Sequence, residues 1–134
     1  MVKKTTKQET ATAIIVDEKE LSASSEDKTF TDLNSKLAEI RKAKDVIGYI
    51  IRNTISATID LKEPEKIVEY AIFSSQVMDS TREISDLLEI GNVKSIFVEG
   101  NESNALCMTI DGNKISIFLE KNADYSRILK RLSP

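Results

Sequence analysis

From Pro64 to Asn92 the positions that recur at steps of three and four are Ile67, Ala71, Ser74, Met78, Thr81, Ser85 and Leu88. Tyr70, Phe73, Val77, Ile84 and Leu87 flank them and widen the stripe. This is the spacing of one face of a helix. Pro64 suits a first helical turn, where its missing N–H would have been unpaired anyway. Gly91 stands just past the end and can take the left-handed conformation that closes a helix. A helix from Pro64 to Ile90 would run roughly 40 Å, enough to cover a sheet. Val68 and Ile72 lie beside the stripe, and its middle is small: Ser74, Ser75, Ser80 and Thr81. Such a centre is either a solvated face or a place where two copies of the helix meet.

The same pattern orders the rest of the chain. Thr29, Thr31 or Asp32 can cap a helix carrying Leu33, Leu37 and Ile40 on one side, ending near Lys44. Val46 to Arg52 is apolar on both parities, as in a strand covered on both faces. Ile55, Ala57, Ile59 and Leu61 alternate with Ser56, Thr58 and Asp60, the mark of a half-buried strand. After Gly91 come a strand over Val93 to Glu99, a loop at Gly100 to Ser103, and a strand with Leu106, Met108 and Ile110 on one side. Asp111-Gly112 is a two-residue hairpin signal leading into a strand with Ile115, Ile117 and Leu119. A terminal helix over Ala123 to Leu132 presents Tyr125, Ile128, Leu129 and Leu132.

The order α-β-β-α-β-β-β-α predicts an α+β, three-layer sandwich. A five-stranded antiparallel sheet would carry the long helix on one face and the two shorter helices on the other. Residues 29–134 form this domain. Residues 1–28, rich in Lys, Glu, Thr and Ser, read as a disordered tail. Inside the tail Ala13-Ile14-Ile15-Val16 is either an accidental cluster that pairs weakly with a sheet edge or a short docking segment.

Composition narrows the chemistry. The 134 residues are 40% hydrophobic with 5% aromatic, so the core is built of Ile, Leu and Val. A formal net charge of −3 gives no electrostatic reason to hold nucleic acid. No apolar run approaches the roughly 20 residues of a membrane span, and MVKKTTKQET lacks a signal-peptide core; a cytoplasmic protein is expected. The chain has no histidine, which removes the usual general base near neutral pH and a common metal ligand. Cys107, the single cysteine, has no histidine partner and reads as structural. No P-loop pattern exists among the four glycines. The carboxylates Asp60, Glu63, Glu65 and Glu69 suit a helix start through the helix dipole. Lys121, Arg127, Lys130 and Arg131 read as a solvated helix face, or more weakly as a surface for an anionic partner. No catalytic residue, metal or cofactor is expected, and the chain reads as a binding protein, not an enzyme.

The constellation resembles the roadblock/dynein light-chain (Longin-like) family, in particular a prokaryotic, archaeal member. The resemblance covers about residues 31–132. It rests on the leading amphipathic helix, D-V-I-G-Y-I-I with Gly48, the long helix with its small residues, V-K-S-I-F-V-E, the D-G-N-K hairpin ending in I-S-I-F-L, and R-I-L-K-R-L. Members often carry a glycine turn in the first hairpin, where this chain has Arg52-Asn53-Thr54. The resemblance implies a module that dimerises, with itself or with another roadblock-like chain, by pairing the strand after the long helix with its copy and packing the long helices together. Ser74, Ser75, Met78, Val93, Ser95, Ile96, Phe97 and Val98 would then form the dimer interface. Members are associated with small Ras-like GTPases, dynein complexes and membrane scaffolds, and some prokaryotic ones are similar to a gliding-motility regulator acting on such a GTPase. A GTPase regulator or scaffold is therefore the first expectation, and a structural adaptor without GTPase contact the second. Glu69, Gln76 and Arg82 are candidates for the partner surface. An apolar strand edge over 93–99 fits dimerisation, since left open it invites aggregation; the alternative is that Ile14 to Val16 cover it.

Overall fold

A computed structural model describes residues 11–16 and 25–132. The other residues of the expected tail lie outside the described residues. The elements in chain order are β1 (Ala11–Val16), α1 (Ser25–Ile40), β2 (Val46–Arg52), β3 (Ser56–Leu61), a 3-10 turn (Pro64–Lys66), α2 (Ile67–Leu88), β4 (Ser95–Glu99), β5 (Ser103–Ile110), β6 (Asn113–Glu120) and α3 (Tyr125–Leu132). The five expected strands, β2 to β6, form one antiparallel sheet. β1 adds a sixth at its margin, in the order β1-β3-β2-β6-β5-β4. Two stretches within residues 1–28 are therefore elements of the fold: the apolar patch is β1, and α1 starts at Ser25, four residues before the expected Thr29.

Strand parity divides the core into two layers. Ile115, Ile117 and Leu119 of β6, Leu106 and Met108 of β5, and Tyr49 and Ile51 of β2 face one side. There they pack on Phe30, Leu33, Leu37 and Ile40 of α1 and Ile128 and Leu132 of α3. Phe118, Cys107, Ala105, Ile50 and Leu61 face the other side, under Ile67, Tyr70, Phe73, Val77 and Met78 of α2. This is the expected three-layer α+β sandwich, with α2 alone on its face.

Three local features set the frame. Gly48 lies where β2 shifts register against β6 and presses on β3. A Cβ there would meet the Asp60 carbonyl oxygen and stand 2.7 Å from the Leu61 Cα, so only glycine fits. The first hairpin turns without glycine. Asn53 Oδ1 accepts from the backbone N–H of Ile55 (2.9 Å) and of Ser56 (2.8 Å), a side-chain substitute for a glycine turn. The β5–β6 hairpin has both Asp111 (φ 49°) and Gly112 (φ 80°) in the left-handed region, as a type I′ turn requires.

Two boundaries differ from expectation. α2 closes at Glu89 (φ 54°), two residues before Gly91, and begins after the 3-10 turn at Pro64. Strand β4 begins at Ser95, so Val93 precedes it. In β3 the polar parity is not the solvent side: Ser56 and Thr58 are buried on the α1 face, while Ile55, Ala57 and Ile59 are half-buried.

Candidate interaction surface

α2 is 22 residues long, roughly 33 Å, and lies over the sheet for only part of that length. Its middle is anchored. Ser74 and Met78 are buried, and Ser74 Oγ meets Ser116 Oγ of β6 at 2.6 Å. Tyr70 stacks on Phe118 (centroids 4.4 Å apart), with Phe73 tilted against the same ring at 6.1 Å. Beyond Ser85 the helix is exposed: Leu87 is 81% and Leu88 63% accessible, and Ile84 and Ile90 are also open. A 22-residue helix outruns a sheet whose strands here end at Ile110 and Asn113, so its last turn has nothing beneath it. Beneath that overhang lies a groove of ≈ 510 Å³ lined in part by Met78, Ser85, Val93, Ile96 and Met108.

β4 is the outer strand on this side of the sheet. Among the described residues no strand pairs with its free edge; β1, the strand considered as a possible cover, lies at the opposite margin on β3. Ile96 and Val98 turn to the α2 face and Phe97 to the other, where its ring stacks on Tyr125 at 4.2 Å. Ser95 is exposed. Between β4 and the first half of α2 runs a second groove of ≈ 310 Å³, lined by Tyr70, Phe73, Val98, Ala105 and Phe118, with Glu69 at its rim. An open strand edge and an apolar helix flank thus lie side by side.

The residues expected at a dimer interface are distributed unequally. Ser95, Ile96, Phe97 and Val98 lie on or beside the open edge, and Val93 just before it. Ser74 and Met78 do not reach a surface: they are 3% and 8% exposed because they hold α2 to its own sheet, and this corrects their assignment to an interface. Ser75 lies on the flank away from β4, where Arg52 Nη2 donates to its Oγ at 3.4 Å. The small residue on the β4 flank is Ser80, three residues after Val77 and seven after Phe73. Ile84, Leu87 and Leu88 belong to the stripe by spacing, but the sheet ends before they can be covered.

Glu69, Gln76 and Arg82 are all exposed. Glu69 and Gln76, seven apart, share a face, whereas Arg82 stands on another, beside the overhang groove and 3.7 Å from Asp79. They do not form one patch. The basic residues of α3 are solvent-facing, with Arg127 3.7 Å from Asp45, and Lys121, in the turn after β6, donates from Nζ to the Gly100 carbonyl at 2.5 Å.

Cys107 is fully buried under α2, and burial pushes its thiol up from the ordinary range despite a hydrogen bond with Ser116, the opposite of an activated nucleophile. On the α1 face Asp60 lies 3.2 Å from Arg41, and burial outweighs that cation, raising the carboxyl. Neighbouring Tyr49 donates to Asn34 Oδ1 at 2.8 Å, and its phenol is pushed up to about 12 by burial and by the Asp60 charge. These groups fasten α1 to β2 and β3. Among the described residues no helix is long and apolar enough to cross a membrane.

Neither a protein-family model nor a curated protein matches the sequence. Among solved structures, the chain is similar to the crystal structure of a Roadblock/LC7 domain from Streptomyces avermitilis, with a TM-score of 0.59, 13% identity, and coverage of 79% of this chain and 87% of that one. At such identity the likeness is one of fold and bears on neither source nor partner. The helix-flanked antiparallel sheet described above is thus a Roadblock/LC7 fold.

Proposed function

We propose that the chain is a non-enzymatic, dimeric binding module of the cytoplasm that regulates or scaffolds a small Ras-like GTPase. The observation that carries the dimer is the open edge of β4 beside the apolar flank of α2. Antiparallel pairing of β4 with its copy satisfies both edges and sets two α2 helices side by side in opposite directions. Ile84 and Leu87 of each copy then come toward the Tyr70–Phe73 groove of the other, which removes the exposed apolar end of α2 from water. A cysteine pair tests this arrangement. Ser80→Cys is expected to give an intermolecular disulfide under mild oxidation and Ser75→Cys none, because only Ser80 lies on the β4 flank. Equal cross-linking at both positions, or at neither, overturns the β4-mediated dimer.

The GTPase reading rests on the resemblance of residues 31–132 to roadblock domains that act with such GTPases. Binding, without a supplied catalytic group, is enough to favour one nucleotide state of a partner. The full-length protein used as bait in extract of its own cells, with GDP or a non-hydrolysable GTP analogue, is expected to retain a small GTPase in one state. Gln76→Lys or Arg82→Glu would weaken that retention while leaving the mass of the protein unchanged. Retention of other roadblock-like chains regardless of nucleotide would replace the GTPase reading with the adaptor one.

A further inference from the structure

Charge is spread unevenly around the overhang of α2. The chain as a whole has 22 acidic and 19 basic side chains. The groove of ≈ 510 Å³ reverses that balance: Arg82, Lys94 and Lys114 line it against one carboxylate, Asp86. Arg82 stands 3.7 Å from Asp79 of its own helix. Among the described residues neither Lys94 nor Lys114 is in an ion pair. Lys114 of β6 shares the α2 face with Phe118 and is half-buried, and Lys94 stands exposed just before β4. The remaining lining is aliphatic or hydroxylic. Met78 of α2 and Ile96 of β4 supply an apolar side, and Ser95 and Thr109 add exposed hydroxyls. No aromatic residue lines the groove.

We infer that this groove is a docking site for a short acidic segment of another protein, with an aliphatic side chain lodged against Met78 and Ile96 and carboxylates meeting Lys94 and Lys114. Charge and shape carry it. Two cations without a counter-charge, on a chain of net charge −3, complement carboxylates and repel a basic segment. The groove lies within the range of about 300–1,000 Å³ in which pockets enclose a ligand. Single-stranded nucleic acid, another anionic chain, binds through aromatic stacking platforms, and this lining has none. A lipid surface is flat, whereas these cations lie beside an apolar recess under the helix end.

The inference goes beyond the function proposed above and needs neither β4 pairing nor a GTPase, since one copy of the chain holds every residue of the site.

The experiment selects a random nine-residue peptide library, displayed on phage, against the full-length protein. The recovered peptides are expected to be enriched in Asp and Glu around one Leu, Ile or Val. The tightest of them, followed by fluorescence anisotropy, is expected to lose about tenfold or more in affinity with Lys94→Glu/Lys114→Glu. Thr109→Trp, which fills the groove without altering its charge, is expected to abolish binding. Lys130→Glu/Arg131→Glu, exposed on α3, makes the same change of net charge elsewhere and is expected to leave affinity as it was. The lysine pair and this control decide the matter even where Thr109→Trp fails to fold. Recovery of no peptide, recovery of basic or aromatic peptides, or an equal loss in the α3 variant overturns the site. Binding of a dT oligonucleotide or of phosphatidylserine vesicles in place of acidic peptides, lost with Lys94→Glu/Lys114→Glu, also overturns it, because the cations then serve that ligand. A chain that binds the acidic peptide as a monomer keeps this site and loses the β4 dimer; a dimer that recovers no acidic peptide does the reverse.

Discussion

Gly48 sits where β2 leans on β3, and a methyl group there would have to displace backbone, not the end of a side chain. Gly48→Ala is therefore expected to cost about 3 kcal/mol, read as a fall in the denaturation midpoint. Ser116 illustrates a different dependence. Its hydroxyl meets Ser74 in a buried setting, so Ser116→Ala strands a polar group and should cost about 1–3 kcal/mol. Ser74→Ala/Ser116→Ala removes both and is expected to be more stable than the single change; a double variant that loses the sum of the two singles would show that the pair is not coupled. Tyr49 supplies a pH dependence. The unfolded phenol ionises near the ordinary 10.0, whereas the folded one holds its proton to about 12. Stability from this group is complete below pH 10 and is lost as pH rises toward 12. Tyr49→Phe should flatten the alkaline part of a stability–pH curve and remove one of the late-titrating groups from the tyrosinate absorbance, leaving Tyr70, which burial also raises.

Each hairpin has its own kind of turn. Asn53 bonds two backbone donors, and its Nδ2 donates to Asn113 Oδ1 at 2.9 Å, tying the β2–β3 hairpin to the β5–β6 hairpin. Asn53→Ala is expected to cost about 1–3 kcal/mol, because Asn113 is buried and loses a partner. Gly112→Ala should cost only about 1–2 kcal/mol, since nothing lies near the added methyl and only its left-handed backbone resists. Losses of Asn53→Ala and Asn113→Ala that simply add in the double variant would contradict the tie between hairpins. Much of this level was legible in the sequence. Period-two runs marked β5 and β6, Asp111-Gly112 marked their turn, and the stripe from Ile67 onward marked α2. What escaped was decided by neighbours distant in sequence. Ser74 looks like a small interface residue until Ser116, forty-two positions on, is seen beneath it. Ser56 and Thr58 look solvent-facing because alternation records polarity, and burial depends on what packs over the strand. β1 is too short and too isolated to announce which margin of the sheet it joins.

For the whole molecule, the two outer strands of the sheet among the described residues are β1 and β4, at opposite margins. The resemblance implies pairing through β4, and the helix beside that strand carries its exposed leucines past the end of the sheet.

Cys107 has been treated as an inert piece of the core. As the single thiol of the chain, roofed by α2 and lining the groove under its overhang, it is also a built-in clock for the motion of that helix. A thiol reagent reaches it only when α2 lifts or the protein unfolds, so the labelling rate in native buffer, compared with that of the unfolded chain, measures how often the roof opens. Dimerisation along the β4 flank should slow labelling as protein concentration rises, and a partner seated on α2 should slow it further.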